Sequence, residues 1–86
     1  MVKIRDPEGH GPVLLFHSVP ETKTTKNRIH LDVRAPANDH SVRDDQVQMF
    51  IERVVSLGAT RVRDVTDDAG YFAVMQDPEG NEFCIG

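Results

Sequence analysis

Cysteine, aromatic residues and long hydrophobic runs are all scarce in this chain of 86 residues. It contains one cysteine and no tryptophan, and aromatic residues make up 6% of the total. One cysteine cannot form an internal disulfide, which favours a reducing compartment. The longest apolar run, residues 13–16, is far too short to cross a membrane, and residues 1–6 lack the apolar segment of a secretion signal. We therefore expect a cytoplasmic protein without membrane contact.

A run of charges of one sign is also missing. The chain has 10 basic and 14 acidic residues, which are interleaved and give a formal net charge of −4. Because a nucleic-acid surface needs a basic patch, no nucleic-acid partner is expected. The length permits one small domain, which buries roughly 60% of its unfolded surface and so has a narrow stability margin.

Hydrophobic periodicity predicts an α+β fold with short strands and one main helix. The clearest strand pattern lies in residues 28–34, whose two faces differ in polarity. Its apolar face consists of Ile29, Leu31 and Val33. Its polar face consists of Arg28, His30 and Asp32. Further strands are predicted at residues 2–5, 13–19, 60–65, 71–76 and 82–85.

Residues 41–57 have the pattern of an amphipathic helix. Ser41 and Asp44 have the spacing of a capping box, in which each side chain accepts a hydrogen bond from the other residue's backbone. Gly58 follows as a C-terminal cap. Five apolar residues recur at helical spacing and are expected to face the core: Val47, Phe50, Ile51, Val54 and Leu57.

A four-residue turn motif occurs twice in the chain. Asp6-Pro7-Glu8-Gly9 is repeated as Asp77-Pro78-Glu79-Gly80, with a predicted strand on each side of both copies. The repeat indicates an internal duplication, although this composition also suits any tight turn. We therefore predict one domain in three parts. Residues 1–19 are the closing β-hairpin of a first module, residues 20–27 are a connector, and residues 28–86 are a complete βαβββ module.

This order of elements resembles the vicinal oxygen chelate superfamily. The phrase "KNRIHLDV" opens the second module at residues 26–33, "DPEGNEF" closes it at residues 77–83, and "LGAT" at residues 57–60 adds to the likeness. The superfamily includes glyoxalase I, bleomycin-resistance proteins and extradiol dioxygenases, and the sequence is most similar to its small bacterial glyoxalase-like domains. The resemblance implies sheets that enclose a cavity, and a first module without its opening strand, helix and next strand. It leaves the activity open, because the fold hosts unrelated functions.

The metal ligands that the resemblance implies are not at their usual positions. The histidine of the module's first strand falls on Arg28, which has no lone pair to donate. The closing glutamate falls on Cys84, and its counterpart in the first module falls near Leu15. A rearranged site stays open, in which His30 and Cys84 hold a divalent ion (zinc, nickel, manganese or iron), although catalytic zinc sites keep three protein ligands. If Arg28 lies opposite Cys84 on neighbouring parallel strands, as the resemblance implies, Glu82 is offset from His30 by four residues. This offset corresponds to roughly 13 Å, which is too far for the two side chains to share an ion.

The resemblance implies a mixed, curved sheet in which the first and last strands of the module are parallel neighbours. The main functional prediction is a groove lined by the polar faces of these two strands. Glu82 and Cys84 share one face of the last strand, and Phe83 and Ile85 share the other. The candidate ligand-binding residues are Arg28, His30, Asp32, Glu82 and His17. The structural alternatives are cross-strand ion pairs for the charged residues, an exposed strand position for His17, and a small buried side chain for Cys84.

Three functions are consistent with these features. The first is a small-molecule binding protein of the bleomycin-resistance kind, which needs no metal. The second is a metal-dependent lyase, isomerase or dioxygenase with a rearranged site. The third is an incomplete module that assembles with itself, because an unpaired sheet edge favours association and a symmetric homodimer is the commonest outcome.

Overall fold

The computed structural model describes residues 1–35, 43–68 and 70–86. These residues confirm the predicted α+β class, with one helix, α1, and six strands. Their bounds are β1 Val2–Ile4, β2 Leu14–Phe16, β3 Leu31–Val33, α1 Arg43–Ser56, β4 Thr60–Asp67, β5 Gly70–Gln76 and β6 Glu82–Ile85. The predicted capping box includes Ser41 and lies outside the described residues. Within these ranges, no helix combines the length and the apolar character needed to cross a membrane.

The strands form two separate sheets. β1 and β2 pair as an antiparallel hairpin, and the other four strands have the order β3-β6-β5-β4. β6 runs parallel to β3 and antiparallel to β5, and β5 is antiparallel to β4. A parallel pair needs a long crossover connection, which here contains α1, β4 and β5. The predicted mixed sheet is therefore present, and β3 and β6 are neighbours in it.

The hydrophobic core lies between α1 and one face of the four-stranded sheet. Phe50 and Val54 pack against its margin and are partly buried. Leu57 is exposed, so its predicted burial is wrong, because α1 ends at Ser56 and Leu57 lies in the turn between α1 and β4. The six buried core residues are Ala35, Val47, Ile51, Ala73, Met75 and Ile85.

The predicted glycine cap at the end of α1 is confirmed. The Gly58 N–H donates to the Val55 carbonyl at 3.0 Å, and the Ala59 N–H donates to the Val54 carbonyl at 3.2 Å. These two hydrogen bonds define a Schellman motif. It needs a residue of positive φ, and Gly58 has a φ of 115°.

A polar cluster joins α1 to β4 at the margin of the core. The Arg61 guanidinium donates to Asp64 at 2.7 Å, to Gln48 of α1 at 3.2 Å and to the Tyr71 hydroxyl at 2.7 Å. The hydrogen bond from Arg61 lowers the pKa of Asp64, and the same contact raises the pKa of Arg61. The cluster fixes α1 laterally on the sheet.

Strand β3 is shorter than predicted. Its partner β6 begins at Glu82 and pairs with residues 31–33 only, so the predicted strand 28–34 is wrong at its start. Ile29 precedes β3 and is 79% exposed, and Leu31 is also exposed, because α1 does not cover this edge of the sheet. β2 is likewise shorter than the predicted strand 13–19, whereas β4 extends two residues beyond its predicted end.

The two copies of the turn motif have the same geometry. The Asp6 carboxylate accepts a hydrogen bond from the Glu8 N–H at 3.0 Å, and Asp77 accepts one from the Glu79 N–H at 2.9 Å. The closing glycine of each copy donates to the aspartate carbonyl, at 2.9 Å in the first turn and 3.0 Å in the second. The backbone N–H groups of Glu8 and His10 donate to the Asp6 carboxylate and hold its pKa below its ordinary value.

The strand pairs beside the two turns correspond as well. Once a two-residue insertion after the first turn is allowed, Lys3–Leu15 of the first hairpin matches Val74–Cys84 of the second. Leu15 thus occupies the position equivalent to Cys84. The other matching pairs are Ile4–Leu14 with Met75–Phe83, and Val2–Phe16 with Ala73–Ile85.

Candidate functional site

The sheet face opposite α1 has a row of aligned side chains across all four strands. Asp32 of β3 is in register with Cys84 of β6, and Cys84 is in register with Val74 of β5. Val74 is in register with Arg63 of β4. Because side chains alternate along a strand, these four residues share one face, whereas Ile85 lies on the helix face.

A cavity of about 360 Å³ lies at this face, beside β3 and β6. Phe72 provides an aromatic surface, and the side chains of Asp32 and Arg34 have opposite charges. Its volume is within the range of small-molecule sites. The residues that line it are Asp32, Val33, Arg34, Phe72, Cys84 and Gly86.

His30 lies between Cys84 and Glu82. Its Nδ1 is 3.9 Å from the Cys84 Sγ atom, and its Nε2 is 3.3 Å from Glu82 Oε2. The expected separation of His30 and Glu82 is therefore wrong. The strand register pairs Asp32 with Cys84. The family's ligand positions, placed on this sequence, had instead put Arg28 opposite Cys84. The difference of four residues brings His30 beside Glu82.

Two connector residues fix Glu82 in this position. The Lys26 ammonium donates to both carboxylate oxygens, at 3.2 and 3.3 Å, and the Asn27 side chain donates to the Glu82 carbonyl at 3.4 Å. Lys26 holds the pKa of Glu82 below its ordinary value, and partial burial acts in the opposite direction. The Glu82 carboxyl is therefore ionised at neutral pH, although its side chain is only 11% exposed.

Cys84 has the opposite electrostatic environment. Burial raises the pKa of its thiol, and the carboxylates of Asp32 and Glu82 act in the same direction, whereas Arg63 opposes them. The residue is 8% exposed. At neutral pH Cys84 is therefore a neutral thiol, and its contact with His30 is a thiol–imidazole hydrogen bond.

The metal set implied by the resemblance does not fit these residues. Across residues 1–35, 43–68 and 70–86, no group of three or more His, Cys, Asp or Glu side chains could hold a metal ion. His30 presents different ring nitrogens to Cys84 and to Glu82, so the three cannot bind one ion together. His30 and Cys84 remain as a pair, one short of the usual three ligands.

The structure brings some of the candidate residues together and separates others. His30, Asp32, Glu82 and Cys84 lie within one patch. Arg28 is exposed in the bend before β3. His17 is exposed directly after β2 and does not line the cavity.

The sequence prediction missed several residues of this patch. Arg34 and Phe72 line the cavity, and each lies two residues from a position on the same sheet face (Asp32 and Val74, respectively). Strand alternation alone was thus sufficient to identify both. Lys26 had no comparable signal, because the polar connector that contains it has no regular pattern.

The fold and the cavity define a small α+β domain with one covering helix and a ligand-sized cleft on the opposite sheet face. A family model described as a glyoxalase-like domain matches residues 2–86, and the chain belongs to this family. The match confirms the resemblance to glyoxalase-like domains and is consistent with the vicinal oxygen chelate superfamily. Comparisons with curated proteins and with solved structures found no match.

Proposed function

We propose that this glyoxalase-like domain binds a small, flat organic molecule in the cavity beside Cys84, as a binding protein of the bleomycin-resistance kind that needs no metal ion. The observation that carries the proposal is the cavity of about 360 Å³. Phe72 offers a ring against which an aromatic ligand can stack. Asp32 and Arg34 supply opposite charges that orient a polar group of the ligand.

Phe72→Ala is expected to weaken ligand binding by about 2- to 10-fold, because an aromatic pair contributes about 0.5–1.5 kcal/mol beyond its buried area. A library of flat aromatic and cationic compounds is first screened by thermal shift with and without EDTA. The dissociation constant of a confirmed ligand is then measured by calorimetry for the wild type and the variant.

Val55→Ala is the control, because Val55 of α1 is 43% exposed and does not line the cavity. It should leave the dissociation constant unchanged. Equal constants for Phe72→Ala and the wild type would contradict the proposed site. Binding that disappears with EDTA would instead support the metal-dependent enzyme.

We also propose that the β1–β2 hairpin associates with a second copy of the chain. Val2, Ile4, Leu14 and Phe16 lie on one face of the hairpin, and all but Leu14 are exposed. Their counterparts in the β5–β6 hairpin pack against or beneath α1. This correspondence supports the hairpin as the equivalent, in a first module, of the β5–β6 hairpin, with an apolar face of the kind that is normally buried. Two such faces are self-complementary about a twofold axis.

Sedimentation velocity should therefore find a dimer of the wild-type chain at micromolar concentration. Phe16→Glu is expected to shift the population to monomer, because it places a charge in the apolar face. Leu57→Glu places the same charge on another exposed apolar position and should leave the dimer intact. A wild-type monomer at the highest soluble concentration would contradict the proposal.

A further inference from the structure

We propose that Glu82, His30 and Cys84 form a carboxylate–imidazole–thiol relay that makes Cys84 a nucleophile toward an unsaturated carbonyl compound in the cavity. The inference rests on the proposed function, because the electrophile has to enter the cavity that Cys84 lines. It adds a chemical role to His30, which binding alone does not use.

The geometry of the imidazole ring carries the proposal. Glu82 Oε2 lies 3.3 Å from Nε2, and a carboxylate at this distance favours the tautomer with the proton on Nε2. The lone pair then resides on Nδ1, which lies 3.9 Å from the Cys84 Sγ atom. The base and the nucleophile are thus oriented toward each other by a third group, which is the arrangement of an activated nucleophile.

The charges around the relay support proton transfer during attack. Lys26 keeps Glu82 ionised through two hydrogen bonds, so the carboxylate can stabilise an imidazolium when His30 accepts a proton. Cys84 begins as a neutral thiol, because burial and the nearby carboxylates disfavour the thiolate. The thiol therefore depends on His30 to remove its proton as the new bond forms.

Conjugate addition is the reaction that these groups complete without a further reagent. The Cys84 sulfur forms a bond to the β-carbon, and the π bond between the α- and β-carbons breaks as its electron pair moves toward the carbonyl. The thiol proton moves to His30 Nδ1 and then to the α-carbon. Atoms and electrons balance, with no leaving group and no redox partner. The Arg34 guanidinium lines the same cavity and favours the developing enolate oxygen.

The test measures alkylation of the folded protein by acrylamide, the probe chosen because it is a small, neutral unsaturated carbonyl compound. Cys84 is the only cysteine, so intact-mass spectrometry reports a single adduct at this site. Near neutral pH, the wild type should react at least about 10-fold faster than His30→Gln. This factor is a lower bound, because a positioned base usually accelerates a reaction by ~10²–10⁴-fold.

His10→Gln is the control, because His10 is a solvent-exposed loop residue with the same side chain. It should react at the wild-type rate, and circular dichroism should show that all variants are folded. Equal rates for the wild type and His30→Gln would overturn the proposal. A folded wild type that forms no adduct would overturn it as well.

Glu82 acts as a positioning residue, and its test needs a readout that altered stability does not move. The ¹⁵N chemical shifts of His30 should show the Nε2–H tautomer in the wild type and a loss of this preference in Glu82→Ala. An unchanged tautomer would exclude this role of Glu82.

If Phe72→Ala weakens ligand binding while alkylation is independent of His30, only the relay fails. If alkylation depends on His30 but no compound binds, only the proposed function fails.

Discussion

Ile51→Ala is expected to lower the free energy of unfolding by about 2–5 kcal/mol, the range for large-to-small substitutions in a core. Ile51 is 1% exposed and belongs to the core cluster between α1 and the sheet. A domain of this length is stable by roughly 4–13 kcal/mol, so the substitution removes a large share of the total. Urea unfolding followed by circular dichroism would show a lower midpoint at an unchanged slope.

Val55→Ala is the matched control on the same helix. Val55 lies one helical turn after Ile51, at the margin of the buried stripe of α1, and is 43% exposed. Its truncation should change the free energy of unfolding by no more than about 0.5 kcal/mol. Similar losses for the two variants would contradict the placement of the core. The comparison also separates the effect of burial from that of helix propensity, because both variants replace a β-branched residue of α1 by alanine.

Gly58→Ala is expected to cost about 1–3 kcal/mol of stability, because φ at this position is positive and a side chain is strained there. The backbone φ is 115°, and an added Cβ atom would lie 3.3 Å from the Pro78 side chain. The substitution thus strains the helix cap and crowds the turn before β6. Thermal and urea unfolding would both show the loss.

Gly11→Ala introduces the same methyl group where φ is not positive and the nearest atom is at 3.6 Å. It should leave the free energy of unfolding unchanged or raise it by about 0.4–1 kcal/mol, because alanine lowers the conformational entropy of the unfolded chain. A loss equal to that of Gly58→Ala would show that the positive φ of Gly58 is not the cause of its cost.

The faces of the strands could be predicted from the sequence, because alternation fixes which side chains lie together. Glu82 and Cys84 lie on the face opposite the helix, and Ile85 lies in the core, as the pattern of the last strand indicated. The bounds of β6 were also predicted, because only one residue separates the Asp77–Gly80 turn from the start of the strand. These features depend only on local sequence.

The register between β3 and β6 could not be predicted in the same way. A shift of two or four residues keeps every side chain on its face, so alternation is equally consistent with Arg28 or Asp32 opposite Cys84. In the structure, Asp32 lies opposite Cys84. The contact between His30 and Glu82 follows from this register, and it is therefore visible only in three dimensions.

The parallel pairing of β3 with β6 has a consequence for how the protein folds. Cys84 and His30 are 54 residues apart in sequence, whereas α1, β4 and β5 are joined by short connections and can form local contacts first. Closing a long loop is entropically costly, and contacts of high sequence separation form slowly. We expect β3 to dock on β6 late in folding, so that the thiol of Cys84 acquires its imidazole partner only as the sheet is completed.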